Sequence, residues 1–138
     1  MNDKTVLIVD DDETLVRALA LKLRAAGYEV LVGMDGLQAV MQAQRKDPDL
    51  ILLDVRMPAG DGIYVMDKLH HSISTMRIPV IVMSAMEDED LRDKVSSLGA
   101  IGFVRKPFDA DALIKAVDLA FESGAGVRQS ADRPTRID

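Results

Sequence analysis

The chain of 138 residues has no cysteine and no tryptophan, and only two tyrosines and three phenylalanines. Without cysteine, disulfides and thiolate metal sites are excluded outright. With aromatics at 4%, stacking platforms for nucleic acid bases are not expected. Positive charge is also short: 17 Lys and Arg face 23 Asp and Glu, a net charge of −6. An acidic surface repels phosphate backbones, so this segment is not expected to bind nucleic acid directly. No apolar run is long enough to cross a bilayer. Asn2-Asp3-Lys4 leads straight into a strand-like run with no pattern of a secretory leader, so a cytoplasmic location without membrane attachment is expected. What remains is a globular composition, 48% hydrophobic and 29% charged, at a one-domain length.

Leu50-Ile51-Leu52-Leu53 is an unalternating apolar run that ends on Asp54, followed by Val55-Arg56-Met57-Pro58 and the turn Gly60-Asp61-Gly62. Such a run reads as a short strand buried on both faces. Thr5-Val6-Leu7-Ile8-Val9 and Val80-Ile81-Val82-Met83 have the same character, whereas Tyr28–Val32 and Ile101-Gly102-Phe103-Val104 are weaker. Helical spacing follows each strand: Leu15, Leu19 and Leu23; Leu37, Val40 and Met41; Ile63, Met66 and Leu69; a thin face of Leu91, Val95 and Leu98; and Leu113, Ala116, Val117, Ala120 and Phe121. Asp35 reads as an N-cap, and Gly27 and Gly99 as helix stops. Strand and helix alternate five times, which predicts a doubly wound α/β sandwich with right-handed crossovers and helices on both faces. The three strong strands are expected in the centre and the two weak ones at the edges. Residues 123–138 carry no period and read as a flexible tail or the start of a linker.

The chemistry collects at the strand ends. Asp10, Asp11 and Asp12 follow the first strand, Asp54 the third, Ser84 the fourth and Lys106 the fifth. All are expected on one rim of the sheet, where open α/β folds bind ligands. Carboxylates packed together repel unless a cation sits among them, and an all-oxygen set favours a hard ion, Mg²⁺ above all. Asp54 at the centre could act as a nucleophile forming an aspartyl phosphate, with Ser84 and Lys106 binding the phosphoryl oxygens. Asp12 reads as a helix cap rather than a metal contact. His70-His71 reads as a surface helix end, because adjacent helical side chains diverge by about 100°.

These residues carry a resemblance. Val9-Asp10-Asp11, Asp54-x-x-Met57-Pro58 with Asp61-Gly62, Met83-Ser84-Ala85 and Phe103-x-x-Lys106-Pro107-Phe108 stand in order, each after its own strand. Over roughly 4–122 the chain resembles a receiver domain of the response regulators of two-component systems. The resemblance implies a flavodoxin-like sheet of order 2-1-3-4-5 and a cis Lys106–Pro107 bond. Asp54 would accept a phosphoryl group from a sensor histidine kinase or histidine phosphotransfer protein, without the chain being a turnover enzyme. Mg²⁺ would be held by Asp10, Asp11, Asp54 and the backbone carbonyl of Arg56. Ser84 and Phe103 would form a switch altering the surface of the last two helices and the fifth strand, read by a downstream effector domain or protein, and a phosphorylation-dependent homodimer is compatible with this. Phe103 lacks the hydroxyl a tyrosine would offer. Arg56 and Met86 stand two residues past Asp54 and Ser84, where the family tunes phosphate lifetime.

Two other readings stay open at this point. Asp10-x-Asp12-x-Thr14 also resembles the motif of haloacid-dehalogenase-like phosphatases, although that family needs a later acidic pair and leaves Asp54-x-x-Met57-Pro58 unexplained. A degenerate receiver serving only as a binding module is the other; the intact Asp54, Ser84 and Lys106 argue against it.

Overall fold

A computed structural model of the chain describes residues 3–56, 62–85 and 89–123. The elements alternate: β1 Thr5–Val9, α1 Glu13–Ala25, β2 Glu29–Gly33, α2 Gly36–Lys46, β3 Leu50–Asp54, α3 Gly62–His70, β4 Val80–Ser84, α4 Glu89–Ser97, β5 Ala100–Arg105 and α5 Ala110–Glu122. Met57-Pro58, Gly60, Asp61, Met86, Glu87-Asp88 and the expected tail beyond Ser123 lie outside the described residues.

The strands form one parallel sheet in the order β2-β1-β3-β4-β5, with the three strong strands in the centre. Alternation across each strand divides the core in two. Val6, Ile8, Leu50, Leu52, Ile81 and Met83 pack with α1 and α5 on one face. Leu7, Val9, Ile51, Leu53, Val80 and Val82 pack with α2, α3 and α4 on the other. The unalternating sequences follow from this, since both faces of a central strand must be apolar.

Caps fall where expected. Asp12 accepts from the Leu15 amide at 3.2 Å and Asp35 from the Gln38 amide at 2.8 Å. Gly27 and Gly99 adopt positive φ just past α1 and α4. Second-strand pairing begins at Glu29, one residue later than the sequence suggests; Tyr28 is buried instead as part of the α5 contact, hydrogen-bonding Asp118 and stacking on Phe121.

The α2 face is a correction. Leu37 and Met41 point outward, Leu37 at 70% exposure, and Ala39 and Ala43 are the buried side chains. A Cβ on Gly33 would stand 3.1 Å from the Ala39 amide nitrogen, so backbone meets backbone here and only small residues fit between helix and sheet. No described helix is long and apolar enough to cross a membrane.

Candidate functional site

The carboxyl ends of β1, β3, β4 and β5 meet at one rim. Asp10 directly follows β1, and its backbone N–H continues the ladder to the Gly33 carbonyl at 3.2 Å. Its carboxylate is buried, with Oδ1 accepting from the Asp12 amide at 3.0 Å. Asp54 is the last residue of β3, 4% exposed, and its Oδ1 accepts from the Arg56 amide at 2.9 Å. Lys106 donates from Nζ to Asp10 Oδ2 at 2.7 Å and to Asp54 Oδ2 at 3.4 Å. The loop carrying it is held by its own amide, which donates to the Ser84 carbonyl at 2.7 Å, and Lys106–Pro107 is cis. Ser84, the last residue of β4, is fully buried.

The electrostatics follow from burial and neighbours. Desolvation pushes the Asp54 carboxyl above its ordinary value; the Arg56 amide opposes this, the Asp10 charge adds to it and Lys106 opposes it again. For Lys106, burial alone would lower the pKa, but the hydrogen bond and charge of Asp10, then those of Asp54, hold it above the usual range. Among the described residues, Asp10, Asp11 and Asp54 each offer a carboxylate oxygen within 4.8 Å of the others, two of them buried and one exposed. One lysine against three carboxylates leaves negative charge uncompensated, and the donors are hard oxygens open on the Asp11 side. This set fits a small divalent cation that retains water ligands.

A pH prediction follows. A carboxylate whose pKa is raised by folding stabilises the fold fully below its unfolded value, here near 3.8, and that contribution is lost as pH rises through the folded value. Without divalent cations, Asp54 therefore lowers stability at neutral pH. Urea melts should show Asp54→Asn more stable than wild type at pH 7, with the difference shrinking toward pH 4 and on adding Mg²⁺. A variant less stable than wild type at pH 7 would contradict the assignment.

The rim therefore brings together Asp10, Asp11, Asp54, Ser84 and Lys106 as expected. Asp12 caps α1, accepting from the Leu15 amide, the role expected of it. Phe103 lies half-buried on β5, and its placement depends on a β-bulge. Ala100 pairs with Val80 but Gly102 pairs with Ile81, leaving Ile101 as the extra residue. Phe103 then pairs with Val82 and packs on the α4 side. By strand alternation Ser84 continues the face of Val80 and Val82, so the bulge sets Phe103 on that same face. Without it, Phe103 would face α1 and α5.

Three features were not legible in sequence. Gly62 packs against β3 so closely that a Cβ there would stand 2.2 Å from Val55 Cα. Arg92 of α4 sits over the Phe103 ring, 5.4 Å from its centroid. A largely apolar cavity of about 370 Å³ opens beside the rim, lined by Asp12, Leu15, Ala85, Lys106, Pro107 and Phe108. The first two arise from how consecutive elements dock on each other and the third between segments distant in the chain; only the Gly after Asp61 left a signal.

Residues 6–118 match the family described as Response regulator receiver domain. Response regulator PleD of Caulobacter vibrioides is 44% identical over 104 residues, which cover 75% of this chain and 23% of PleD. The alkaline phosphatase synthesis transcriptional regulatory protein PhoP of Bacillus subtilis is 35% identical over 118 residues, 83% of this chain and 48% of PhoP. The chain thus spans less than half the length of either. Among solved structures, chemotaxis protein CheY4 of Vibrio cholerae superposes with a TM-score of 0.81 at 27% identity, covering 86% of this chain and 98% of that one. The receiver domain of sensor histidine kinase PA1611 from Pseudomonas aeruginosa superposes with a TM-score of 0.74 at 28% identity, over 86% and 97% of the two chains, and holds a magnesium ion coordinated in its active site cleft. Strand order, rim and match over most of the chain agree: this protein belongs to the response regulator receiver domain family of two-component systems.

Proposed function

We propose that this chain is a working phosphoacceptor, with its receiver unit over 4–122 and residues 123–138 as a tail or linker. The observation that carries this is the buried Asp54 carboxylate sharing Lys106 with Asp10 at the end of the central strand. An Asp54 oxygen attacks the phosphorus of a phosphohistidine on a sensor kinase or phosphotransfer protein. The P–N bond breaks, its electron pair stays on the imidazole nitrogen, and that nitrogen takes up a proton from solvent. Asp10, Asp11, Asp54 and the Arg56 carbonyl would hold Mg²⁺, which when bound supplies charge neutralisation for the phosphoryl oxygens. Lys106 Nζ pairs with one phosphoryl oxygen and the Ser84 hydroxyl donates to another. Phosphorylation adds nearly two negative charges at the rim. Ser84 is then drawn toward them and Phe103 turns inward, a population shift that changes the α4-β5-α5 surface read by an effector domain or protein, or by a second copy of the chain. A cytoplasmic location belongs to the same proposal and is supported by the phosphohistidine donor that the reading requires.

The test is to incubate the protein with Mg²⁺ and a small acyl phosphate or phosphoramidate, trap the acyl phosphate with borohydride and map it. The expected result is a single trapped residue at Asp54, absent from Asp54→Asn. Trapping at Asp10, or sustained turnover of phosphate esters, supports the phosphatase instead. No trapping in a folded protein supports the binding module.

A further inference from the structure

Phe103 has no hydroxyl, so no hydrogen bond can anchor its ring in either position. Among the described residues, Arg92 is the cation over the ring, its guanidinium carbon 5.4 Å from the centroid. Both residues line a cavity of about 170 Å³ between α4 and β5, with Asp93, Val95, Ser96 and Ile101. Both partners are placed by packing: the bulge at Ile101 turns Phe103 toward α4, and Val95, the one fully buried α4 side chain, docks α4 with Leu91 and Leu98 in the rotation that brings Arg92 over β5.

We propose that Arg92 is a lock on the aromatic switch: its cation–π contact holds Phe103 at the α4 seam and sets how rarely the unphosphorylated protein visits the inward state. This rests on the phosphoacceptor reading above for its consequence, but not for the contact itself. An exposed cation–π contact is worth a factor of about two to five in an equilibrium. Because linkage is reciprocal, whatever Arg92 adds to the outward state it subtracts from the affinity of the rim for a phosphoryl group. Arg92→Ala therefore shifts the resting population inward and tightens phosphoryl binding by the same factor.

Two readouts test this on the full chain. Phenylalanine ring resonances, with Phe103 assigned through Phe103→Leu, report ring position without any phosphate. Titration with beryllium fluoride and Mg²⁺, a phosphoryl mimic, reports rim affinity. In Arg92→Ala, the resting Phe103 shifts should move along the line joining free and mimic-bound wild type, and half-saturation should come at about two- to fivefold lower mimic. Arg92→Lys should restore wild-type behaviour and Arg92→Met should match Arg92→Ala, because charge over the ring acts rather than the packing of the stem. Unchanged ring position and affinity in Arg92→Ala, or full restoration by Arg92→Met, overturns the lock. If wild type fails to bind the mimic, the phosphoacceptor reading falls, and the ring resonances alone decide whether Arg92 positions Phe103.

Discussion

Gly62→Ala is expected to lower the stability of the fold by about 3 kcal/mol and its melting temperature by roughly 10 °C. The new Cβ would stand 2.2 Å from Val55 Cα, 2.8 Å from the Asp54 carbonyl oxygen and 2.9 Å from Val55 Cβ. Two of these atoms are backbone of the central strand end, so no rotamer change relieves the overlap. The Gly62 amide also donates to the Val55 carbonyl at 3.2 Å, which ties the start of α3 directly to β3. Separation must therefore come from moving α3 outward, which strains Val65, Met66 and Leu69 in the core on that face. The residue displaced with Val55 is Asp54, so phosphoryl acceptance should also fall at temperatures where the variant is folded. Calorimetry and borohydride trapping at 10 °C check the two parts. A melting temperature within 2 °C or so of wild type would show that the loop absorbs the methyl group.

Lys106→Met should slow Asp54 phosphorylation by roughly 10² to 10³, the scale of losing one preorganised charge on a developing oxyanion. Methionine keeps most of the stem volume, so packing changes little. Lys106 is 19% exposed while Asp10 and Asp54 side chains are 1% and 6% exposed, so the variant leaves two buried carboxylates without their cation. Breaking a buried pair from one side typically costs about 3–5 kcal/mol. The destabilisation should be larger at pH 8 than at pH 5, because protonation removes the repulsion, and Mg²⁺ should restore part of it. Single-turnover phosphorylation and denaturant melts at both pH values measure these separately. A variant that phosphorylates at the wild-type rate would remove Lys106 from the site.

The thin apolar face of α4 has a counterpart in the fold. Val95 is its one buried side chain, against four in α1. An element held by so little apolar area is of low local stability, and it carries Arg92 beside the residue proposed to move.

Much of this protein was legible in its residues. Unalternating Val, Ile and Leu runs meant strands covered on both faces, five strand–helix repeats meant a doubly wound sheet, and the last residue of each strong strand had to emerge on one rim. Asp10, Asp54, Ser84 and Lys106 were readable for that reason, since chain direction alone places strand ends together. The resemblance added the strand order 2-1-3-4-5. Side-chain periodicity predicts Leu37, Val40 and Met41 on one face of α2, and of these only Val40 packs against the core. Periodicity shows which residues share a face of a helix, but the close approach of α2 to Gly33 decided which face could be buried. The same limit applied to Phe103 and Gly62. Which way Phe103 points depends on one extra residue in the pairing of β5 with β4, and which atoms Gly62 meets depends on the docking of α3 on β3. The sequence by itself determined the elements and the set of groups at the rim, because backbone propensity and burial act locally. Register, helix rotation and the Arg92–Phe103 contact were decided only in the tertiary structure, because each is settled by packing between segments that local pattern does not couple.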